Sequence, residues 1–366
     1  MKKILITIPS LRYGGTEFVL IEIINYLINK NYKIYLYTDL SSEIKDHRSL
    51  FGKQIIFLQS SNNFFKKCFK LYYYLKKFKI DTIFALQSGI IISYIINLFF
   101  IKKLKIIGRL STIISQQFKQ SSYLTKIKLI IFLFCLSKIS LIITQSKNMK
   151  KDLIQIFNKF NYDNKSIIKV IYNPVNINNI IEKSKIKSSI TNKNFIFYFG
   201  RIEKVKNLEN LIILYYKSKL FLSYELIIMG DGAELNKIKK LTKKIKIKRH
   251  VKFLNFSMNP YSILSKCKIF ILPSNYEGYS NSLIQSIILK KNILVSKSEG
   301  GNKEILGKYY PLLSYDFSST LNPLTFKKKV DQIIETYDCG KKNILFNKIQ
   351  KRHKDTLETY LTALNG

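Results

Sequence analysis

Two successive series of short apolar runs, separated by longer segments with helical spacing, constrain this 366-residue chain more than any other feature. In the first half, "KILITIP", "YKIYLYT", "IIFLQ", "TIFALQ", "LKIIGRL" and "ISLIITQS" read as strands. Between the first two, "TEFVLIEIINYLINK" sets Ile21, Ile24 and Leu27 at helical spacing. In the second half, "FIFYFGR", "YELIIMGDG", "VKFLNF", "KIFILPS" and "NILVSK" alternate with helical segments such as "NLENLIILYYKSK" and "NSLIQSIILKK". Short, continuously apolar strands joined by helix-length crossovers make parallel sheets buried on both faces. The expectation is therefore α/β, built twice: residues 1–178, then a polar and basic linker over 179–192, a second domain over 193–345, and a terminal helical segment over 346–366.

The formal charge of +39 points to polyanionic partners, among them phosphorylated small molecules and anionic lipid. From His47 to Lys151 the only acid is Asp81, against about twenty lysines and arginines, so the first domain is expected to present a basic face to an anionic membrane surface. No nucleic-acid motif appears and the aromatics sit inside apolar runs, so nucleic acid is not an expected partner. Four dispersed cysteines and three dispersed histidines lack metal-ligand spacing, so no metal or other cofactor is expected and the cysteines read as reduced. The opening "MKKILITIPS" has too short an apolar run for a signal peptide and reads as the first strand. Thr82 to Ile101 carries no charge, yet it is interrupted by Gln87, Ser88 and Gly89. It divides into a strand (Thr82–Leu86), a turn, and a helix ending at Lys102, and is not a membrane span. "YLTKIKLIIFLFCLSK" fits a sheet-covering helix and equally one dipping into a lipid interface.

Several turns after strands are suited to anions. "RYGGTE", from Arg12 to Glu17, puts Gly14 and Gly15 ahead of a helix start. "YFGRIEKVKNLENLI" sets Gly200 and Arg201 after a strand and Lys206 just before a helix, a guanidinium and an ammonium able to hold a diphosphate, with Lys204 and Lys206 not told apart by composition. "LPSNYEGYSNSLIQSI" places Glu277 and Gly278 in a loop, with the amides of Ser280, Asn281, Ser282 and Leu283 at a helix start. There Gln285 reads as the far end of a capping box on Ser282 or as a neutral acceptor for a ligand hydroxyl. "VSKSEGGNKEIL" repeats the strand, glycine turn and helix with Gly300, Gly301 and Glu304. The carboxyl edge of such sheets is where ligands bind.

Taken in order, "GGTE", "IITQSKNMKKDL", "IYNPV", "FGRIEKVKNLENLI", "MGDGAEL", "VKFLNFSMNPYSIL", "LPSNYEGYSNSLIQSI" and "VSKSEGGNKEI" resemble the family 4 glycosyltransferases, retaining nucleotide-sugar enzymes of the GT-B fold. The resemblance implies two facing Rossmann-like domains with a donor cleft between them and a C-terminal helix returning to the first. It implies that Arg201 and Lys206 hold the donor diphosphate, that Gly15 approaches that phosphate, and that Asn255 and Phe256 lie near the base. Glu277 would contact the transferred sugar beside Gly278, Ser280, Asn281 and Ser282. Gly300, Gly301 and Glu304 would complete the donor side. Two positions depart from the family: Gln285 stands where an acid usually binds the ribose, and "IIGRLSTI" offers Arg109 and Ser111 on the acceptor side where many members carry a histidine. The implied reaction is metal-independent transfer of a hexose or N-acetylhexosamine from a nucleotide-sugar, a UDP-sugar first, to a lipid-linked or cell-surface glycan acceptor. The implied place is cytoplasmic, peripheral on the inner membrane. A sugar-nucleotide epimerase and a catalytically silent partner subunit share the architecture.

Overall fold

A computed structural model describes residues 1–10, 14–39, 54–101, 103–188, 190, 194–257, 259–317 and 322–365. Arg12, His47 and Lys102, and residues 189 and 191–192 of the expected linker, lie outside these. The chain divides into two compact units: Met1–Pro174 with Asp355–Gly366, and Val175–Lys354.

The first unit runs β1 (Lys2–Ser10), α1 (Gly15–Asn29), β2 (Tyr32–Asp39), β3 (Ile55–Gln59), α2 (Phe64–Phe78), β4 (Thr82–Leu86), α3 (Gly89–Phe99), β5 (Lys105–Arg109), α4 (Ile114–Gln120), α5 (Tyr123–Leu136), β6 (Leu141–Thr144), α6 (Lys147–Lys159) and β7 (Ile167–Val170). All strand pairs are parallel, in the order β3-β2-β1-β4-β5-β6-β7. Ile4, Ile6, Phe84, Ile107 and Ile143 fill one core layer under α1. The uncharged stretch after Thr82 is β4, a turn with Gln87 at φ 50°, and α3. No helix among the described residues is long and apolar enough to cross a membrane.

The second unit runs α7 (Ile177–Ser184), β8 (Phe195–Phe199), α8 (Leu208–Lys217), β9 (Glu225–Met229), α9 (Leu235–Lys244), β10 (Val251–Leu254), α10 (Tyr261–Leu264), β11 (Ile269–Leu272), β12 (Tyr276–Glu277), α11 (Asn281–Ile288), β13 (Ile293–Ser296), β14 (Glu299–Gly300), α12 (Gly301–Leu306), α13 (Tyr310–Leu313), β15 (Ser314–Tyr315), α14 (Pro323–Thr336) and α15 (Cys339–His353). Its main sheet is parallel in the order β10-β9-β8-β11-β13-β15, and β12 pairs with β14 in a separate ribbon.

Two expectations are corrected. Part of the expected linker is α7, whose first turn is capped by Asn176 accepting from the Asn179 amide and whose Ile180 is buried. The terminal segment is not one helix: α15 ends at His353 within the second unit. Only α16 (Thr356–Asn365) belongs to the first, where Tyr360, Ala363 and Leu364 join the core around β1 and α1.

Candidate donor site

The second unit gathers its chemistry at the carboxyl edge of its sheet. The turns after β8 and β9 lie against each other: the Ile202 amide donates to Asp231 O at 2.7 Å and the Glu234 amide to Ile202 O at 3.0 Å. Only glycine fits there. Gly230 has φ +148°, and a Cβ on it would stand 1.9 Å from Gly200 O. This packing fixes where the chain leaves β8, and so where Arg201 and Lys206 emerge.

The two cations go to different partners. Arg201 Nη1 donates to Glu203 Oε1 at 3.0 Å, and its side chain is 59% exposed. Lys206 ends a single 3-10 turn; its Nζ donates to Glu277 Oε1 at 2.7 Å, with the two side chains only 16% and 11% exposed. The structure thus brings Lys206 and Glu277 together across 71 residues and leaves Arg201 outside that contact. Ser274 Oγ also donates to Glu277 Oε1, at 2.7 Å. Both bonds fall on one carboxylate oxygen. Tyr198, fully buried in β8, donates to Arg201 O at 2.7 Å. Burial first, and the Glu277 charge second, push its phenol well above the usual tyrosine range, so it stays a neutral donor.

Glu277 is held from the other side by the β12–β14 ribbon, which sets it opposite Gly300. Gly300 has φ +118°, and a Cβ on Gly301 would stand 2.5 Å from Gly278 O. The loops carrying Glu277-Gly278 and Gly300-Gly301 are therefore in direct contact. Glu304 lies in the first turn of α12, its carbonyl accepting from Lys348 Nζ at 3.3 Å and from Arg352 Nη1 at 3.3 Å. Behind Gly278, the buried Tyr279 hydroxyl meets His353 Nε2 at 3.1 Å.

The helix start at 280 differs from the expectation. Ser280, not Ser282, is the cap: its Oγ accepts from the Leu283 amide at 3.3 Å, so that amide already has a partner. Ser282 Oγ sits 3.1 Å from Ser280 Oγ. Gln285 closes no capping box, because it lies two residues beyond the position that could reach back to the Ser280 amide; its Nε2 donates to Tyr261 Oη at 3.1 Å. Asn255 and Phe256 follow β10, the former exposed and the latter half-buried.

The remaining predicted residues lie in the first unit. Gly14 caps α1 with extended backbone (φ −169°), and Gly15 opens the helix. Neither uses the left-handed region. Arg109 is 2% exposed: Nε donates to Tyr360 Oη at 3.1 Å and Nη2 to Asn173 Oδ1 at 2.7 Å, while Nη1 has no partner among the described residues. It is an interior tie between β5, the segment after β7, and α16, not a surface group. Ser111, two residues on, is half-buried. Sequence reasoning missed Ser274, Tyr198 and Tyr261. Ser274 alone left a trace, three residues before Glu277.

With this geometry in hand, the chain can be set beside known proteins. It is 28% identical over 319 residues, 84% of each chain, to the Campylobacter jejuni N-acetylgalactosamine-N,N'-diacetylbacillosaminyl-diphospho-undecaprenol 4-alpha-N-acetylgalactosaminyltransferase. Its structure resembles that of Anabaena HepE in complex with UDP and glucose (TM-score 0.78, 17% identity, all of both chains). It also resembles sucrose-phosphate synthase from Thermosynechococcus elongatus (TM-score 0.78, 13% identity, 100% of this chain and 98% of that one). At such identities the structural likeness establishes the fold, two parallel-sheet α/β domains of the GT-B class. Residues 179–351, almost the whole second unit, match the family model of the glycosyl transferases group 1, and it is to that family that this part of the chain is similar.

Proposed function

We propose that the chain is a retaining, metal-independent glycosyltransferase of family 4. It moves a hexose or N-acetylhexosamine from a UDP-sugar to a lipid-linked glycan precursor, working peripherally at the cytoplasmic face of the inner membrane. The observation that carries the reading is the Lys206–Glu277 pair, 2.7 Å apart and largely withdrawn from water beside Gly300.

An ammonium has three donors, so Lys206 can keep its bond to Glu277 and still donate to a phosphate oxygen. Glu277 takes both of its bonds on Oε1, which leaves Oε2 for a hydroxyl of the transferred sugar. When the bond to the sugar breaks, charge develops on the departing diphosphate. Lys206, with Arg201 swinging in from its exposed pair, stabilises it there. Positive charge develops on the sugar ring at the same moment, and the Glu277 carboxylate lies on that side. The acceptor's proton leaves toward the diphosphate, and the acceptor oxygen enters from the face the leaving group vacates, which retains the anomeric configuration. Gln285 offers Oε1 to a ribose hydroxyl while Nε2 is held by Tyr261. The lipid-linked acceptor is supported by the relative's name, which places its reaction on a diphospho-undecaprenol-linked glycan. The UDP-sugar is supported by the UDP complex of the Anabaena structure.

The test is transfer from UDP-N-acetylhexosamines and UDP-hexoses to a polyprenyl-diphosphate glycan, with product configuration read by NMR. Lys206→Ala and Glu277→Gln are expected to lower kcat/KM roughly 10- to 150-fold each, the worth of a charge-assisted bond. Activity should survive EDTA. Near-normal kcat/KM in both variants removes the site; loss to EDTA restored by Mg²⁺ removes the metal-free mechanism.

A further inference from the structure

The outer faces of three neighbouring helices in the first unit carry side chains that protein surfaces seldom show together. The crossovers containing α2, α3 and α5 all advance the same way along the strand order, so their right-handedness puts the three helices on one face of the sheet. Tyr72 and Phe100 rings at 5.3 Å join α2 to the end of α3; Tyr94 and Phe134 at 6.2 Å join α3 to α5.

Two of these helices bury one apolar stripe and expose a second. On α2, Cys68, Leu71 and Leu75 are buried, while Phe65, Phe69 and Tyr73, each four residues apart, are exposed. On α5, Leu129, Leu133 and Leu136 are buried, while Leu124, Ile127, Ile131 and Phe134, three and four apart, are exposed. α3 runs out in Leu98, Phe99 and Phe100, all exposed. Phe65 is 80% exposed and Phe69 72%, so these rings are not partly tucked away. A helix apolar on two sides is suited to two apolar neighbours, and the sheet is only one of them.

The charges on the same helices select the second neighbour. Lys66, Lys70, Lys76 and Lys77 stand on α2 and Lys126 and Lys128 on α5, and none of α2, α3 and α5 contains an Asp or Glu. A second copy of this face would set lysine against lysine. Aromatic rings at headgroup depth, with lysine stems lying along apolar surface and ammonium groups among phosphates, are the chemistry of an anionic bilayer interface. We propose that α2, α5 and the end of α3 form a membrane-inserting face that sinks its aromatic and aliphatic side chains into an anionic phospholipid surface. Attachment is then by insertion as well as by charge. This deepens the peripheral placement proposed above and rests on it, but it does not depend on the identity of the sugar.

The test is co-sedimentation with vesicles of phosphatidylcholine and phosphatidylglycerol at low and high salt. Salt screens the lysines and leaves insertion, so a salt-resistant bound fraction is expected. Phe65→Ser with Phe69→Ser on α2, and separately Leu124→Ser with Ile131→Ser on α5, should each lower partitioning at least about tenfold and abolish that fraction. Lys66→Gln with Lys70→Gln should weaken low-salt binding roughly 30-fold and spare it. The substituted side chains are exposed, so melting temperatures, and turnover with a water-soluble acceptor glycoside, should not change. Loss of that turnover in the wild type would count against the transferase reading and leave vesicle binding as the measure of this one. Complete release of the wild type by salt, or undiminished binding of both serine variants, overturns the insertion. So does a dimer in light scattering that the serine variants dissolve, which would give the face to a second copy.

Discussion

Both units place a parallel sheet between helices, yet they hold their turns and dress their outer helices differently. In the second unit, neighbouring turns touch backbone to backbone, with Gly230 pressed on Gly200 O. In the first, the close approach is of Gly89 to the side chain of Thr7, where a Cβ would stand 2.0 Å from Oγ1. Outside, α9 of the second unit buries Ile238 and Thr242 and turns lysines to water. α5 of the first is apolar on both sides. Among the described residues the first unit exposes fifteen large hydrophobic side chains and the second five, though their sizes are similar. The second unit concentrates its close approaches in the backbone of a few turns, where the proposed donor would be met. The first unit instead carries a broad apolar face, the one proposed above to meet lipid.

Glycine substitutions test the first half of that contrast and carry the largest expected effect. Gly230→Ala should cost more than about 4 kcal/mol, because a main-chain oxygen cannot move aside and φ +148° is closed to alanine. Gly89→Ala should cost less, about 1–3 kcal/mol, since a new Thr7 rotamer removes the 2.0 Å contact with Oγ1 and leaves the 2.8 Å contact with Thr7 Cβ to a small backbone shift. Urea unfolding of both variants decides it, and equal costs would break the contrast.

Arg109→Ala comes next. It removes two bonds from a buried guanidinium and leaves a cavity, about 2–4 kcal/mol. Hydrogen exchange should rise in α16 while UDP-sugar binding holds. Protection of α16 unchanged would mean that Tyr360 is kept by packing alone.

The smallest effect is at Gln285. Gln285→Ala and Tyr261→Phe should each cost about 1 kcal/mol or less of stability, with a coupling in the double mutant. Only Gln285→Ala should also weaken donor binding several-fold, by isothermal titration. Equal weakening in Tyr261→Phe would make Gln285 a positioning group.

How much of this was legible follows from how local each feature is. β4 could be bounded as Thr82–Leu86 because its apolar run ends at a polar turn. α7 could not, since its helix depends on an asparagine cap and one buried isoleucine in a segment otherwise polar. The break at Lys354 is silent in "NKIQKRHKDTLETYL", whose helical period continues; the passage of the chain from one unit to the other decides it. Lys206 and Glu277 each stand out in the sequence as polar residues just before a helix, but nothing local says that they pair, or that Arg201 pairs with Glu203 instead. Of the two readings of Gln285, the capping box fails because a serine two residues earlier than Ser282 is the cap, which shifts the whole capping frame.

The core of the first unit includes Tyr360, Ala363 and Leu364, which the ribosome supplies only after all of residues 175–354. During synthesis that unit waits, its β1–α1 layer unfinished, while the second can complete itself. The nascent chain thus holds an apolar gap beside α1 for the time it takes to make 180 residues, at about 5–20 residues per second. A chaperone that covers such a gap would meet this protein at the β1–α1 layer and be released when α16 docks.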